Sequence, residues 1–143
     1  MSTMNSPITV CLWFDGQAKE AATFYCVTFK NAKITAETPM VVTFELNGRK
    51  FMGLNGGPHF KFNEAMSLVV ECHTQEEIDY YWNKLSEGGE EGRCGWLKDR
   101  FGVSWQIVPA VLGQLMSDPG KAERVTANLL QMKKLEIEKL EHA

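Results

Sequence analysis

The segment that most constrains this chain runs from Val41 to Leu54. Val42, Phe44 and Leu46 alternate with Thr43 and Glu45. Successive side chains of a strand point to opposite faces, so this period of two predicts a strand with one face on a core. Asn47-Gly48 follows it. Both central positions of a type I′ turn need positive φ, which asparagine and glycine accept, so the pair predicts a tight hairpin. Arg49 to Leu54 is then the returning strand, and Gly56-Gly57-Pro58 ends it.

The residues around this hairpin place it in a larger unit. Ile8 to Phe14 is an apolar run stopped by Asp15-Gly16, which predicts a buried strand. Ala18 to Phe29 puts Ala18, Ala21, Ala22, Tyr25 and Phe29 on one helical face. Lys33 to Thr38 is a short strand before Pro39. The order then restarts. Met66 to Cys72 reads as a strand. Thr74 with Glu77 forms a capping box that opens a helix. Ile78, Tyr81, Trp82 and Leu85 are its buried stripe, and Gly88-Gly89 supplies the left-handed ending. Arg93 to Lys98 and Val103 to Val108 are strands joined by the turn Asp99 to Gly102, and Pro109 closes the second. Strand, helix and further strands thus occur twice, within 8–55 and 66–108. The repeat is one of element order, not of residues.

The C-terminal part reads as helical. Val111 to Met116 is a short amphipathic piece, and Asp118-Pro119-Gly120 breaks it. Lys121 to Leu140 is expected to form one long helix with two apolar stripes: Val125, Leu129 and Met132, then Leu130 and Ile137. Two stripes need two covers, here the chain's own sheet and a second subunit.

Size and charge narrow the partners. A length of 143 residues fits one domain. Net charge is -3 and there is no basic stripe, which argues against nucleic acid. No apolar run approaches the ~20 residues of a membrane span. Met1 to Val10 lacks the basic cluster and apolar core of a secretory signal, so a cytoplasmic protein is expected. Cys11, Cys26, Cys72 and Cys94 show no C-x-x-C spacing, which argues against a zinc knuckle. They read as small buried hydrophobes in a reducing compartment.

Several stretches carry a resemblance. These are Leu12-Trp13-Phe14-Asp15-Gly16, Ala22-Thr23-Phe24-Tyr25, Phe44-Glu45-Leu46-Asn47-Gly48 and Leu54-Asn55-Gly56-Gly57-Pro58-His59-Phe60. The second half adds Gln75 to Asp79, Gly88-Gly89, Cys94 to Asp99 and Ser104 to Pro109. In this order the chain resembles PhnB-like proteins of the vicinal-oxygen-chelate (glyoxalase/bleomycin-resistance) superfamily. That branch is labelled 3-demethylubiquinone-9 3-methyltransferase. The resemblance implies an α+β fold of two βαβββ modules, about 7–57 and 64–110, forming a curved eight-stranded mixed sheet around a cavity. A helical extension, 111–143, completes a single domain spanning 1–143. It also implies a homodimer and a small-molecule ligand.

Metal-dependent members of that superfamily hold the ion on His, Glu or Gln from the first and last strands of each half. Here those strands offer Val10, then Met52, Gly53 or Leu54, then Met66-Ser67, then Gln106. One neutral amide does not hold a divalent ion, so no metal site and no cofactor are expected. A divalent metal on other ligands stays open as an alternative. The candidate ligand-binding residues are Trp13, Asn55, His59, Glu71, Trp96, Trp105 and Gln106. Strand tryptophans turned into a cavity stack on flat ligands. Glu71, in an otherwise apolar strand, and His59, in a loop, are the candidate bases, since burial would raise a carboxylate's pKa. Three readings stay open: a metal-free binding module, an enzyme of isomerase, lyase or dioxygenase type, and an assembly role with the cavity filled. The methyltransferase label finds little support. The only candidate for a glycine-rich turn between a strand and a helix, Gly53 to Gly57, leads into Pro58, His59 and Phe60 and not into a clear helical pattern.

Overall fold

A computed structural model describes residues 7–143. The chain divides into two compact units, Met1–Phe62 and Asn63–Ala143.

The first unit contains β1 (Val10–Phe14), α1 (Ala18–Thr28), β2 (Ala32–Glu37), β3 (Val41–Leu46) and β4 (Arg49–Asn55). They form a mixed sheet of order β1-β4-β3-β2, with β1 parallel to β4 and the other pairs antiparallel. Asn47 and Gly48 have φ of 54° and 84°, the left-handed pair that the tight hairpin demands. The alternation then sorts the sheet into faces. Val42, Phe44 and Leu46 on β3, Phe51 on β4, and Leu12 and Phe14 on β1 are buried. Ala18, Ala21, Ala22 and Tyr25 of α1 are buried as well, and α1 packs on β2, β3 and β4. Phe44 stacks on Phe51 with ring centroids 5.4 Å apart. Each of the buried Val, Leu and Phe side chains contributes about 1.5–3 kcal/mol by leaving water. Cys11, Trp13, Met52, Leu54, Thr43 and Glu45 stay half-buried or exposed on the other face.

The second unit repeats the scheme: β5 (Leu68–Cys72), α2 (Gln75–Ser86), β6 (Glu90–Glu91), β7 (Trp96–Lys98) and β8 (Ser104–Pro109), in order β5-β8-β7-β6. Again the first and last strands are parallel and the rest antiparallel. Thr74 and Glu77 form the expected capping box. Ile78, Trp82 and Leu85 of α2 are buried, as are Leu97, Trp105 and Ile107 of the sheet. Each unit thus carries one four-stranded mixed sheet of the same connectivity.

Two local expectations need correction. Arg93 to Lys98 is not one strand. Cys94 and Gly95 carry φ of 61° and 85°, so the chain turns there and β7 begins only at Trp96. Their amides donate to the carbonyls of Met132 and Lys133, both at 2.8 Å.

Lys121 to Leu140 is not one helix either. After α3 (Leu112–Met116) come α4 (Pro119–Leu129) and α5 (Ile137–Glu141). The Asp118-Pro119 break is also a start: the Asp118 side chain caps α4, with Pro119 in its first turn. Between α4 and α5 the backbone is diverted to other partners. The Gln75 side chain donates to the Leu135 carbonyl at 3.0 Å and accepts from the Ile137 amide at 2.8 Å. Met132 and Leu135 are buried with Val125 and Leu140 in a cluster that the partly buried Val108, Leu112 and Leu115 complete. Leu130, expected in the second apolar stripe, is exposed. Tertiary packing has overridden helix periodicity.

One buried carboxylate organises the hairpin of β7 and β8. Asp99 accepts from the amides of Phe101 at 2.9 Å and Val103 at 3.1 Å through Oδ1. Its Oδ2 accepts from Trp105 Nε1 at 2.9 Å. Replacing Asp99 by alanine strands three donors. It is expected to cost about 3 kcal/mol of stability, measured by urea unfolding. A loss under about 0.5 kcal/mol would show that water replaces the carboxylate there.

Candidate functional site

The face of the second sheet that points away from α2 carries Trp96 and Lys98 on β7, Ser104, Gln106 and Val108 on β8, and Val69 and Glu71 on β5. This placement follows from strand alternation and register: Trp96 stands opposite Gln106, Lys98 opposite Ser104, Val69 opposite Gln106 and Glu71 opposite Val108. Val108 is spent on the C-terminal cluster. At the other end lies a cavity of about 400 Å³ lined by Glu64, Glu90, Glu91, Gly92, Trp96, Leu97, Lys98 and Ser104.

Its polar groups are unevenly satisfied. Lys98 Nζ lies 2.5 Å from the Glu64 carboxylate. The hydrogen bond from Lys98 holds the Glu64 carboxyl below its ordinary pKa, and Glu64, then Glu90, hold the Lys98 ammonium above its own. The pair therefore stays charged at neutral pH. Ser104 is the opposite case. It is buried, and its Oγ has no hydrogen-bond partner. Leaving a buried hydroxyl unpaired costs about 1–3 kcal/mol, so the group needs an explanation.

The residues singled out from sequence fall into four groups. Trp96 lines the cavity, half-buried. Gln106 is beside it on the same face, where its amide donates to Ser67 Oγ at 3.0 Å. Trp105 and Asn55 are structural. Trp105 sits one residue out of phase with Gln106, so its ring goes to the helix side and its N–H to Asp99. Asn55 Oδ1 accepts from the Ala18 amide at 2.9 Å, capping α1, which has no side-chain cap of its own. Asn55 Nδ2 donates to the Pro39 carbonyl at 3.0 Å. Trp13 lies on the open face of the first sheet, pinned through Nε1 to the Gly57 carbonyl at 2.9 Å and edge-on to Phe60 at 4.8 Å.

Glu71 and His59 are both exposed, and neither lines the cavity. The burial that would turn Glu71 into a base is absent. Sequence reasoning missed Ser104, Lys98, Glu64, Glu90 and Glu91. A serine between Val103 and Trp105, two residues from Gln106 on the same face of the strand, was the available signal.

Among the described residues no three His, Cys, Asp or Glu side chains gather closely enough to hold a metal ion. The cysteines are free; Cys72 is buried, but Cys11 is exposed, against the expectation of four buried thiols. Burial, then the nearby Glu77, pushes the Cys72 thiol up to about 12.

The glycine-rich stretch Gly53 to Gly57 ends β4 and does not open a helix. Gly56 has a packing reason: a Cβ there would lie 2.3 Å from Cζ2 of Trp13. Gly56→Ala is expected to displace the Trp13 ring and lower stability by about 1–3 kcal/mol, read by thermal unfolding and near-ultraviolet circular dichroism. An unchanged aromatic spectrum and melting temperature would show that Trp13 is not seated on this turn.

Comparison with known proteins places this architecture. Residues 6–108 match the family described as 3-demethylubiquinone-9 3-methyltransferase. The PhnB protein of Bacillus cereus, which carries the same methyltransferase description, is 36% identical with a TM-score of 0.68, over 73% of this chain and all of its own. A Pseudomonas aeruginosa protein is 20% identical with a TM-score of 0.63, over 73% of this chain and 98% of its own. A glyoxalase/bleomycin resistance protein/dioxygenase from Alicyclobacillus acidocaldarius is 11% identical with a TM-score of 0.51, over 75% of this chain and 92% of its own, which supports the fold alone. No curated protein matches. With its family match spanning both modules and a PhnB protein more than a third identical to it, this chain belongs to the PhnB-like 3-demethylubiquinone-9 3-methyltransferase family, within the glyoxalase/bleomycin-resistance fold.

Proposed function

We propose that this chain binds a small organic molecule in the cavity of its second unit, and that binding needs no metal ion. The observation that carries this reading is the buried Ser104 hydroxyl without a partner, set in the wall of a cavity that also holds a half-buried tryptophan. Ligand sites pair apolar and aromatic walls with a few polar groups that fix orientation. Ser104 is such a group, and Trp96 such a wall. The cavity of about 400 Å³ lies within the usual range for small-molecule sites.

The methyltransferase description of the Bacillus cereus relative does not carry over easily. Among the described residues the glycine-rich turn after β4 leads into no helix, so no strand, glycine-rich turn and helix is formed there to cradle a nucleotide-bearing cofactor. An enzymatic reading through Glu71 or His59 lacks a buried, clustered base. We include in the proposal a homodimer, for which the exposed Val69 of edge strand β5 and Met66 just before it supply apolar surface. No helix among the described residues is long and apolar enough to cross a membrane, and a cytoplasmic location fits that.

The test is a thermal-shift screen of small organic molecules against the wild type, Ser104→Ala and Trp96→Leu. A ligand at 100 times its Kd stabilises by about 2.7 kcal/mol, a shift of several degrees. The expected result is hits on the wild type that vanish in Trp96→Leu. Ser104→Ala removes an unpaired group, so the free protein should melt slightly higher while the hits weaken. About one divalent ion per chain in protein purified without chelator, with hits that require it, would overturn the metal-free reading.

A further inference from the structure

The cavity has a charge as well as a shape. Three carboxylates, Glu64, Glu90 and Glu91, line it against a single ammonium, Lys98. Glu64 and Lys98 satisfy one another at 2.5 Å. The excess therefore lies on Glu90 and Glu91, which make up the whole of edge strand β6. Glu90 stands opposite Lys98 and Glu91 opposite Leu97, so alternation turns the Glu90 side chain to the cavity face and the Glu91 side chain to the other, where it adds its charge to the same edge.

Two acidic residues on a sheet edge commonly do no more than keep that edge soluble. Here two further groups face the same space: the half-buried Trp96 ring and the buried Ser104 hydroxyl that nothing in the structure partners. An aromatic face attracts a cation through its quadrupole, and carboxylates beside it add a net negative field. An N–H of a protonated amine supplies the donor that Ser104 Oγ lacks. An anion would meet the net negative charge of the β6 edge and find Lys98 already engaged by Glu64.

We propose that this cavity selects an organic cation, a protonated amine or guanidinium carried on a flat or apolar body. Trp96 receives the body and the charge, Glu90 and Glu91 select its sign, and Ser104 Oγ accepts one of its N–H groups. This assignment rests on the reading of the cavity as a ligand site and adds the chemical class of ligand.

Three matched probes separate the two claims: phenethylamine, protonated at pH 7, neutral phenethyl alcohol and anionic 3-phenylpropionate. Each is titrated into ¹⁵N-labelled full-length protein, and the indole N–H resonance of Trp96 is followed, assigned with Trp96→Phe. Phenethylamine is expected to shift that resonance and to bind about tenfold tighter than the alcohol, equivalent to about 1.4 kcal/mol. Added salt should weaken the amine and leave the alcohol unchanged. In Glu90→Gln/Glu91→Gln, two exposed positions where folding is checked by circular dichroism, the amine's advantage should disappear while the alcohol's affinity stays. If the alcohol or the propionate moves Trp96 with equal or tighter binding, the cavity is a ligand site but the cation assignment is wrong. If none of the three moves Trp96, the cation assignment fails and the screen above decides the broader reading alone.

Discussion

The second unit is arranged around the Asp99 carboxylate. Burying a charge is costly unless its lone pairs are filled, and here two backbone amides and the Trp105 indole fill them. The Asp99 amide in turn donates to the Val103 carbonyl at 2.9 Å, closing the turn from both sides. That turn joins β7 to β8 and sets Lys98 opposite Ser104. Trp105 is drawn to the helix side, so Ser104 and Gln106 must face the other way. The wall of the cavity is therefore a consequence of where one carboxylate is satisfied.

The first unit uses an amide for a comparable purpose. Asn55, at the end of β4, ties the start of α1 to the segment before β3 through Ala18 and Pro39. Both residues are polar groups in strongly matching stretches, where a functional reading comes naturally. Their bonds show instead that they hold the fold. The two halves share an order of elements, and each stabilises its sheet ends with unrelated chemistry. That is why the repeat is invisible at the level of residues.

Local physics made most of the architecture legible. A period of two, Asn47-Gly48 and the Thr74–Glu77 capping box each depend on neighbours in sequence, and each stands in the structure as read. The errors came where distant groups decide. The long C-terminal helix was broken because Cys94, Gly95 and Gln75 capture the backbone between α4 and α5. Trp105 was placed in the cavity because periodicity gives alternation but not which parity faces the helix; Asp99 settles that. The cavity itself was hidden because strand pairing brings β6, β7 and β8 together and an ion pair with Lys98 adds Glu64 from the segment before β5, and Ser104 is unusual only once its lack of a partner is seen.

The proposed ligand site is the space between Trp96, Ser104 and the β6 edge. A crystal structure of the protein grown with phenethylamine tests it most directly. The account predicts ligand density against the Trp96 ring with the ammonium within hydrogen-bond distance of Ser104 Oγ and beside Glu90 or Glu91. Ordered ligand elsewhere, with Ser104 Oγ bonded to the protein itself, would contradict it.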